Sequence, residues 1–170
     1  MRKQGIVWIF IFALLFVLAA CGEETAEPVD YAAYVDTSHV YTEQTLTEAQ
    51  RTAYPAARID HYYISGDYKV FCVTAKYGYK GEVQTVILLN NATIEKIAGV
   101  DIKESVNYGA KCFRDSYLAQ FYGLDLSAYT AIRGKSQPRN EGEIVYVTGA
   151  TVTSEAIIDA VNAIIIFIHP

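Results

Sequence analysis

The chain is poor in the side chains that hold metals or carry out nucleophilic chemistry: 170 residues contain three cysteines, three histidines and one tryptophan. No two cysteines stand at CxxC spacing. His39, His61 and His169 are far from one another in sequence, and none lies in a Cys/His cluster, so no metal site is expected. No HExxH segment, Ser-His-Asp set or paired-carboxylate motif is present, and no catalytic residue is assigned. Positive charge is also scarce. Fourteen Lys and Arg stand against 19 Asp and Glu, for a net charge of -5, which argues against nucleic acid as a partner. What the chain has in quantity is tyrosine, 14 residues of it. These supply flat surfaces with a polar tip, suited to a half-open core or to stacking on an aromatic ligand.

Two of the few basic residues, Arg2 and Lys3, precede an unbroken apolar run from Ile6 to Ala20. A positive start, an apolar stretch and small residues at its end are the features of a secretory signal. The run is shorter than the ~20 residues that cross a bilayer as a helix. Leu18-Ala19-Ala20-Cys21 resembles the bacterial lipobox, in which the cysteine thiol is lipidated and becomes the new N-terminus. The resemblance implies a lipoprotein signal peptide over 1–20, a lipidated N-terminus and tether over 21–41, and a single domain over 42–170. Acyl chains such as palmitate would anchor it, each buried CH₂ contributing about 0.8 kcal/mol. The expected location is extracytoplasmic, on a bacterial membrane.

Within the domain, residues 42–54 read as a short helix stopped by Pro55. Residues 61–64, 68–76, 83–89 and 93–101 are rich in β-branched and aromatic side chains. They are separated by Ser65-Gly66-Asp67, Tyr79-Lys80-Gly81-Glu82 and Asn90-Asn91, which read as turns. This predicts an antiparallel meander. Phe113, Tyr117, Leu118 and Phe121 recur at helical spacing over 113–122. A last strand over 143–147 and a helix over 154–167 close the chain. Strands and helices in separate runs predict an α+β fold, an antiparallel sheet with helices packed on it. Cys72 and Cys112 are candidates for a disulfide in an exported domain, but sequence cannot place their Cα atoms within reach of each other.

The segment richest in chemistry is Tyr146-Val147-Thr148-Gly149-Ala150-Thr151-Val152-Thr153-Ser154-Glu155. A strand there turns at a glycine and opens a helix. The glycine lets backbone approach a ligand, and the helix start offers unpaired N–H groups that favour a phosphate. The competing reading is that Thr153 or Ser154 simply caps the helix.

Thr148-Gly149-Ala150-Thr151 followed by Val-Thr-Ser resembles the flavinylation motif of the FMN-binding domain family, which includes the G subunit of Rnf complexes, the C subunit of the sodium-translocating NADH:quinone oxidoreductase and stand-alone exported flavoproteins. Upstream, Glu104-Ser105-Val106-Asn107-Tyr108-Gly109-Ala110-Lys111 is similar to the family's E-T-P-G-L-G-A-K segment. Tyr117-Leu118-Ala119-Gln120-Phe121-Tyr122-Gly123 is similar to its F-L-x-Q-F-x-G helix. The likeness extends over roughly residues 45 to 168. It departs at Val145, where the family usually carries an acidic residue, and at Ser105-Val106-Asn107, which replace Thr-Pro-Gly.

The resemblance implies FMN joined through its phosphate to Thr151 by a flavin transferase, with Thr148, Gly149, Ala150, Thr153 and Gly109 around it. Glu104 then either accepts a hydrogen bond from the cofactor or braces a loop. Tyr108 either lies against the flavin ring or is an ordinary half-buried tyrosine. Lys111 either offsets the phosphate charge or is solvated. The function implied is electron transfer between a membrane redox donor and an external or partner acceptor, as a carrier more than an independent enzyme. The alternatives are a surface binding lipoprotein with an empty flavin motif, and an exported FMN-dependent reductase. On the lipobox, intact mass of protein from its native envelope should show loss of residues 1–20 and addition of lipid at Cys21. Cys21→Ala should leave an unprocessed, unlipidated chain.

Overall fold

The computed structural model describes residues 29–137, 140 and 142–169. The expected signal peptide, Cys21 and the start of the tether lie outside these residues. Strands β1 (Thr42–Glu43), β2 (Ala57–Ser65), β3 (Tyr68–Gly78), β4 (Gly81–Asn90) and β5 (Thr93–Val100) form one antiparallel sheet in chain order. This is the predicted meander. Two of its three hairpins turn at Gly66 and Asn91, both at positive φ, a conformation that glycine and asparagine tolerate best.

Both faces of the sheet are apolar, so its central strands read as nearly continuous hydrophobic runs. Phe71, Val73 and Ala75 on β3, with Val83, Ile87 and Leu89 on β4, face the main core. The alternate residues Val70, Cys72, Val86 and Leu88 face the other way. On the main face lies the long helix of the fold, which packs on β2, β3 and β4. It buries Ile157, Ile158, Val161, Ile164 and Ile165 against the sheet. Each fully buried side chain of this size contributes roughly 1.5–3 kcal/mol. This helix alone among the described residues is long and apolar enough to cross a membrane, yet 61% of it is buried inside the domain, the pattern of a core helix.

The other face is covered by the segment just before β1. Ala32 and Val35 are buried there, with Tyr31, Tyr41, Tyr63 and Tyr68 packed around them. Tyr31 stacks on His61 with ring centroids 4.8 Å apart, and His39 lies 4.3 Å from Tyr68. Ser38 and Tyr41 donate hydrogen bonds to Asp36, which hold its carboxyl well below the usual range. Much of the tyrosine surplus thus forms a second layer on the back of the sheet. Residues 30–41, counted with the tether in the sequence reading, supply part of it.

Local structure departs from the sequence reading in several places. The helix expected over 42–54 is β1 followed by the short helix α1 (Glu48–Arg51). Thr47 opens α1 with a reciprocal capping box to Gln50, but no residue of α1 is buried, so no packing extends it. The helix expected over 113–122 is a 3-10 turn, Gly109–Phe113, followed by α2 (Asp115–Leu118). Extended backbone at Arg114 separates the two. Tyr117, Leu118 and Phe121 are nevertheless buried as their spacing implied. The last helix, α3 (Thr151–Ile168), begins three residues earlier than expected. A short parallel pair, β6 (Arg133–Lys135) and β7 (Glu143–Val145), lies apart from the main sheet. Cys72 and Cys112 are both free and buried on opposite faces of the sheet, and no disulfide forms.

Two carboxylates sit one turn apart on α3. Tyr146 donates to Glu155, and Tyr54 donates to Asp159 Oδ1 at 2.8 Å. Burial raises both carboxyl pKa values, and the Asp159 charge raises that of Glu155 further. A folded-state pKa above the unfolded one means that the folded chain holds the extra proton. Stability is therefore lost as pH rises from the unfolded value through the raised folded one. Glu155→Gln keeps an acceptor for Tyr146 and removes one charge. Thermal melts should show a gain of about 2–4 °C at pH 7 and none below the ordinary carboxylate pKa of about 4.

Candidate functional site

The turn between β7 and α3 carries the motif-bearing residues. Gly149 has φ +77°, and a Cβ there would stand 2.9 Å from Tyr108 Cδ1, so the position demands glycine on both conformational and spatial grounds. Ala150 occupies the N-cap position, and no side chain caps α3. The N–H groups of the first turn are left to a ligand or to water. The capping role considered for Thr153 or Ser154 is not what the fold uses, because both lie within the first turn with their side chains directed inward. Thr153 Oγ1 donates to Glu104 Oε2 at 3.1 Å. Ser154 Oγ accepts from the N–H of Val147 at 3.1 Å and meets Cys112 Sγ at 3.4 Å. Thr151 and Val152, on the other side of the same turn, are exposed. Helical geometry therefore separates the four residues into two buried braces and two outward side chains.

Glu104 is 8% exposed and ties three segments together. Its Oε1 accepts from the backbone N–H of Lys80 at 3.2 Å, at the tip of the β3–β4 hairpin. Its Oε2 accepts from Thr153 on α3. Gly109 lies so close that an added Cβ would collide with Glu104 Oε2 and stand 2.8 Å from Thr153 Oγ1. The carboxylate is thus a brace between hairpin, loop and helix.

These segments enclose a cleft of about 680 Å³ lined by Tyr79, Lys80, Ser105, Tyr108, Gly109 and residues 149–153. That volume is within the usual range for small-molecule sites. Tyr79 and Tyr108 are 70% and 56% exposed and offer flat apolar surface at its mouth. Of the residues singled out from sequence, Gly109, Tyr108, Gly149, Ala150, Thr151 and Thr153 line the cleft, and Glu104 supports it from beneath. Thr148 is exposed in the turn and does not line it. Lys111 does not line it either. It faces a separate shallow depression with Arg114, Gln120 and Val145.

Tyr79 and Lys80, which in sequence belong only to a turn, also line the cleft. The available signal was a hairpin carrying two exposed tyrosines beside Gly78, where a Cβ would collide with Val83 and Gly81 and touch Glu104 Oε1 at 3.0 Å. Gln120 has a role that its place in the sequence does not reveal: its side chain accepts from the N–H of Val145 at 2.8 Å and donates to its carbonyl at 3.2 Å, holding the end of β7. Cys112 offers no reactive thiolate beside the cleft, since burial pushes its thiol pKa up. Among the described residues no His, Cys, Asp and Glu cluster could hold a metal.

A family model, FMN-binding domain, matches residues 78–166, more than half of the chain. The chain belongs to the FMN-binding domain family. The matched segment starts at the end of β3, and so takes in the hairpin tip, the Glu104 loop and nearly all of α3. A solved structure, the crystal structure of Shewanella oneidensis NqrC, aligns with 14% identity over 78% of this chain and 66% of its own, with a TM-score of 0.43. This chain thus spans slightly less than two thirds of that protein. No curated protein matches the chain. FMN is accordingly the cofactor of this domain, and the protein is a flavoprotein.

If the brace at Glu104 holds the FMN-binding domain together, Gly109→Ala should cost about 1–3 kcal/mol, because its methyl group displaces the carboxylate. Urea unfolding would measure this, and an unchanged midpoint would show that the loop moves aside at no cost.

Proposed function

We propose that this protein is a membrane-anchored, extracytoplasmic electron carrier whose FMN is joined through its phosphate to Thr151. The observation that carries the reading is the division of hydroxyls in the first turn of α3. Thr153 and Ser154 are committed to inward hydrogen bonds, whereas Thr151 is exposed on the cleft at an uncapped helix start. The cleft also fits the group. Gly109 and Gly149 let backbone approach where side chains would block it, the free N–H groups of the first turn suit a phosphate, and the tyrosines at the mouth suit a flat ring.

When bound, FMN supplies the capacity to accept and release electrons, and the chain supplies attachment, orientation and electrostatic environment. Thr151 retains the group, as a protein outside the cytoplasm requires if the cofactor is not to diffuse away. Gly149, Ala150 and Thr153 shape the phosphate end. Tyr108 and Gly109 form a wall, and Glu104 fixes that wall to α3. Thr148 lies next to the attachment point without lining the cleft, and Lys111 contributes charge from a neighbouring surface. A flavin transferase would load the cofactor. The Cys21 lipid would hold the domain near a membrane redox donor, with a partner domain or external acceptor receiving the electrons. No residue of the cleft forms a general-base or nucleophile pair, which favours a carrier over an independent enzyme.

Full-length protein co-expressed with a flavin transferase should give a fluorescent band that survives SDS denaturation. Thr151→Ala should abolish that band and Thr148→Ala should retain it. Fluorescence persisting in Thr151→Ala would refute attachment there. A wild-type protein without any bound flavin would favour an empty motif.

A further inference from the structure

We propose that Lys80 tunes the flavin, making it easier to reduce by placing positive charge beside the cleft. The inference rests on the reading that FMN occupies that cleft. Lys80 is the only charged residue among those lining it; the rest are Tyr, Ser, Gly, Ala, Val and Thr. Its ammonium takes part in none of the ion pairs among the described residues, which involve His39, Arg58, His61 and Lys135. Glu82, Asp101 and Lys103 share an adjoining groove with it, and none of them forms an ion pair with it among the described residues. Glu104, the nearest acid beneath the cleft, is buried and has both oxygens engaged, one by the Lys80 backbone and the other by Thr153.

The position of Lys80 is set by the fold even though its side chain is exposed. Its N–H is held by Glu104, and Gly78 before it has no space for a side chain. The same carboxylate holds the first turn of α3, so hairpin tip and helix start keep a constant relation. The phosphate is already provided for by the free N–H groups at Thr151 and its neighbours. That leaves the cation, on a different segment, to act on the remainder of the group. A flavin that accepts two electrons and one proton gains a net negative charge on its ring. Protein charge near the ring nitrogens is one of the means by which the potential is set. A nearby cation favours the charged form, and screening by salt weakens the effect for an exposed group.

The test uses the full-length, flavin-loaded protein and dithionite titration, followed by flavin absorbance. Lys80→Met should shift the reduction equilibrium about tenfold toward the oxidised form, equivalent to about 30 mV for a two-electron couple. Lys80→Glu should shift it further, and Lys80→Arg should restore the wild-type midpoint. The gap between wild type and Lys80→Met should narrow at high ionic strength. The proposal is overturned if Lys80→Met and Lys80→Glu carry a full load of flavin at the wild-type midpoint. It is equally overturned if they lose flavin, because Lys80 would then serve loading or retention. Absence of flavin from the wild-type protein itself would instead remove the underlying reading, and the inference with it.

Discussion

The carboxylate of Glu104 is the constraint on which the cleft depends. It is an acidic side chain placed where little water reaches, and its two oxygens are engaged by two elements distant in sequence, the β3–β4 hairpin and α3. A buried carboxylate is tolerated only when its acceptor capacity is used, and here each hydrogen bond also fixes a wall of the site. Gly109 is part of the same arrangement, because only a residue without a side chain can pass so close to both Glu104 and Thr153. The geometry of the cleft is therefore set from beneath, by one side chain that does not itself line it.

The sheet provides the rigid base for this arrangement. With apolar residues on both of its faces, it needs a cover on each side. One cover is α3, and the other is the tyrosine-rich segment leading into β1. The requirement for two covers also explains why Cys72 and Cys112 cannot meet, since each is enclosed in a different layer. The first turn of α3 packs Thr153 and Ser154 inward and leaves Thr151 and Val152 exposed, so that the element burying the core also presents its first turn to the cleft. Function and stability share this helix: its middle is packed, and its beginning is left without a cap.

The electrostatic arrangement follows from this anatomy. The interior of the cleft is assembled from glycine, alanine, hydroxyl and aromatic residues, so the dipole of α3 and the charge on Lys80 are not cancelled by acids lining the same cleft. The acids of α3, Glu155 and Asp159, belong to a different surface, where tyrosine hydroxyls meet them. An acidic protein thereby keeps a cleft whose one charged lining residue is a lysine.

The meander was legible because its strands are rich in β-branched and aromatic residues and its turns carry Gly66 and Asn91. The helix over the last residues was legible from its predominantly apolar composition, although its true start at Thr151 was not. Local pattern favoured a cap at Thr153 or Ser154, and only packing against Glu104, Val147 and Cys112 turned those hydroxyls inward. The motif around Thr148–Ser154 and the segment 104–111 together identified the family, which the match over 78–166 bears out. Sequence could not show that Lys80 and Tyr79 join the cleft while Lys111 stands outside it. Hairpin tip, loop and helix start are separated by tens of residues, and their meeting depends on sheet register and on one buried carboxylate. The sequence by itself determined which chemical groups are available and which local turns are possible. Tertiary structure alone decided which of them face the same space, because hydrogen bonds such as those of Glu104 form only when distant segments are brought together.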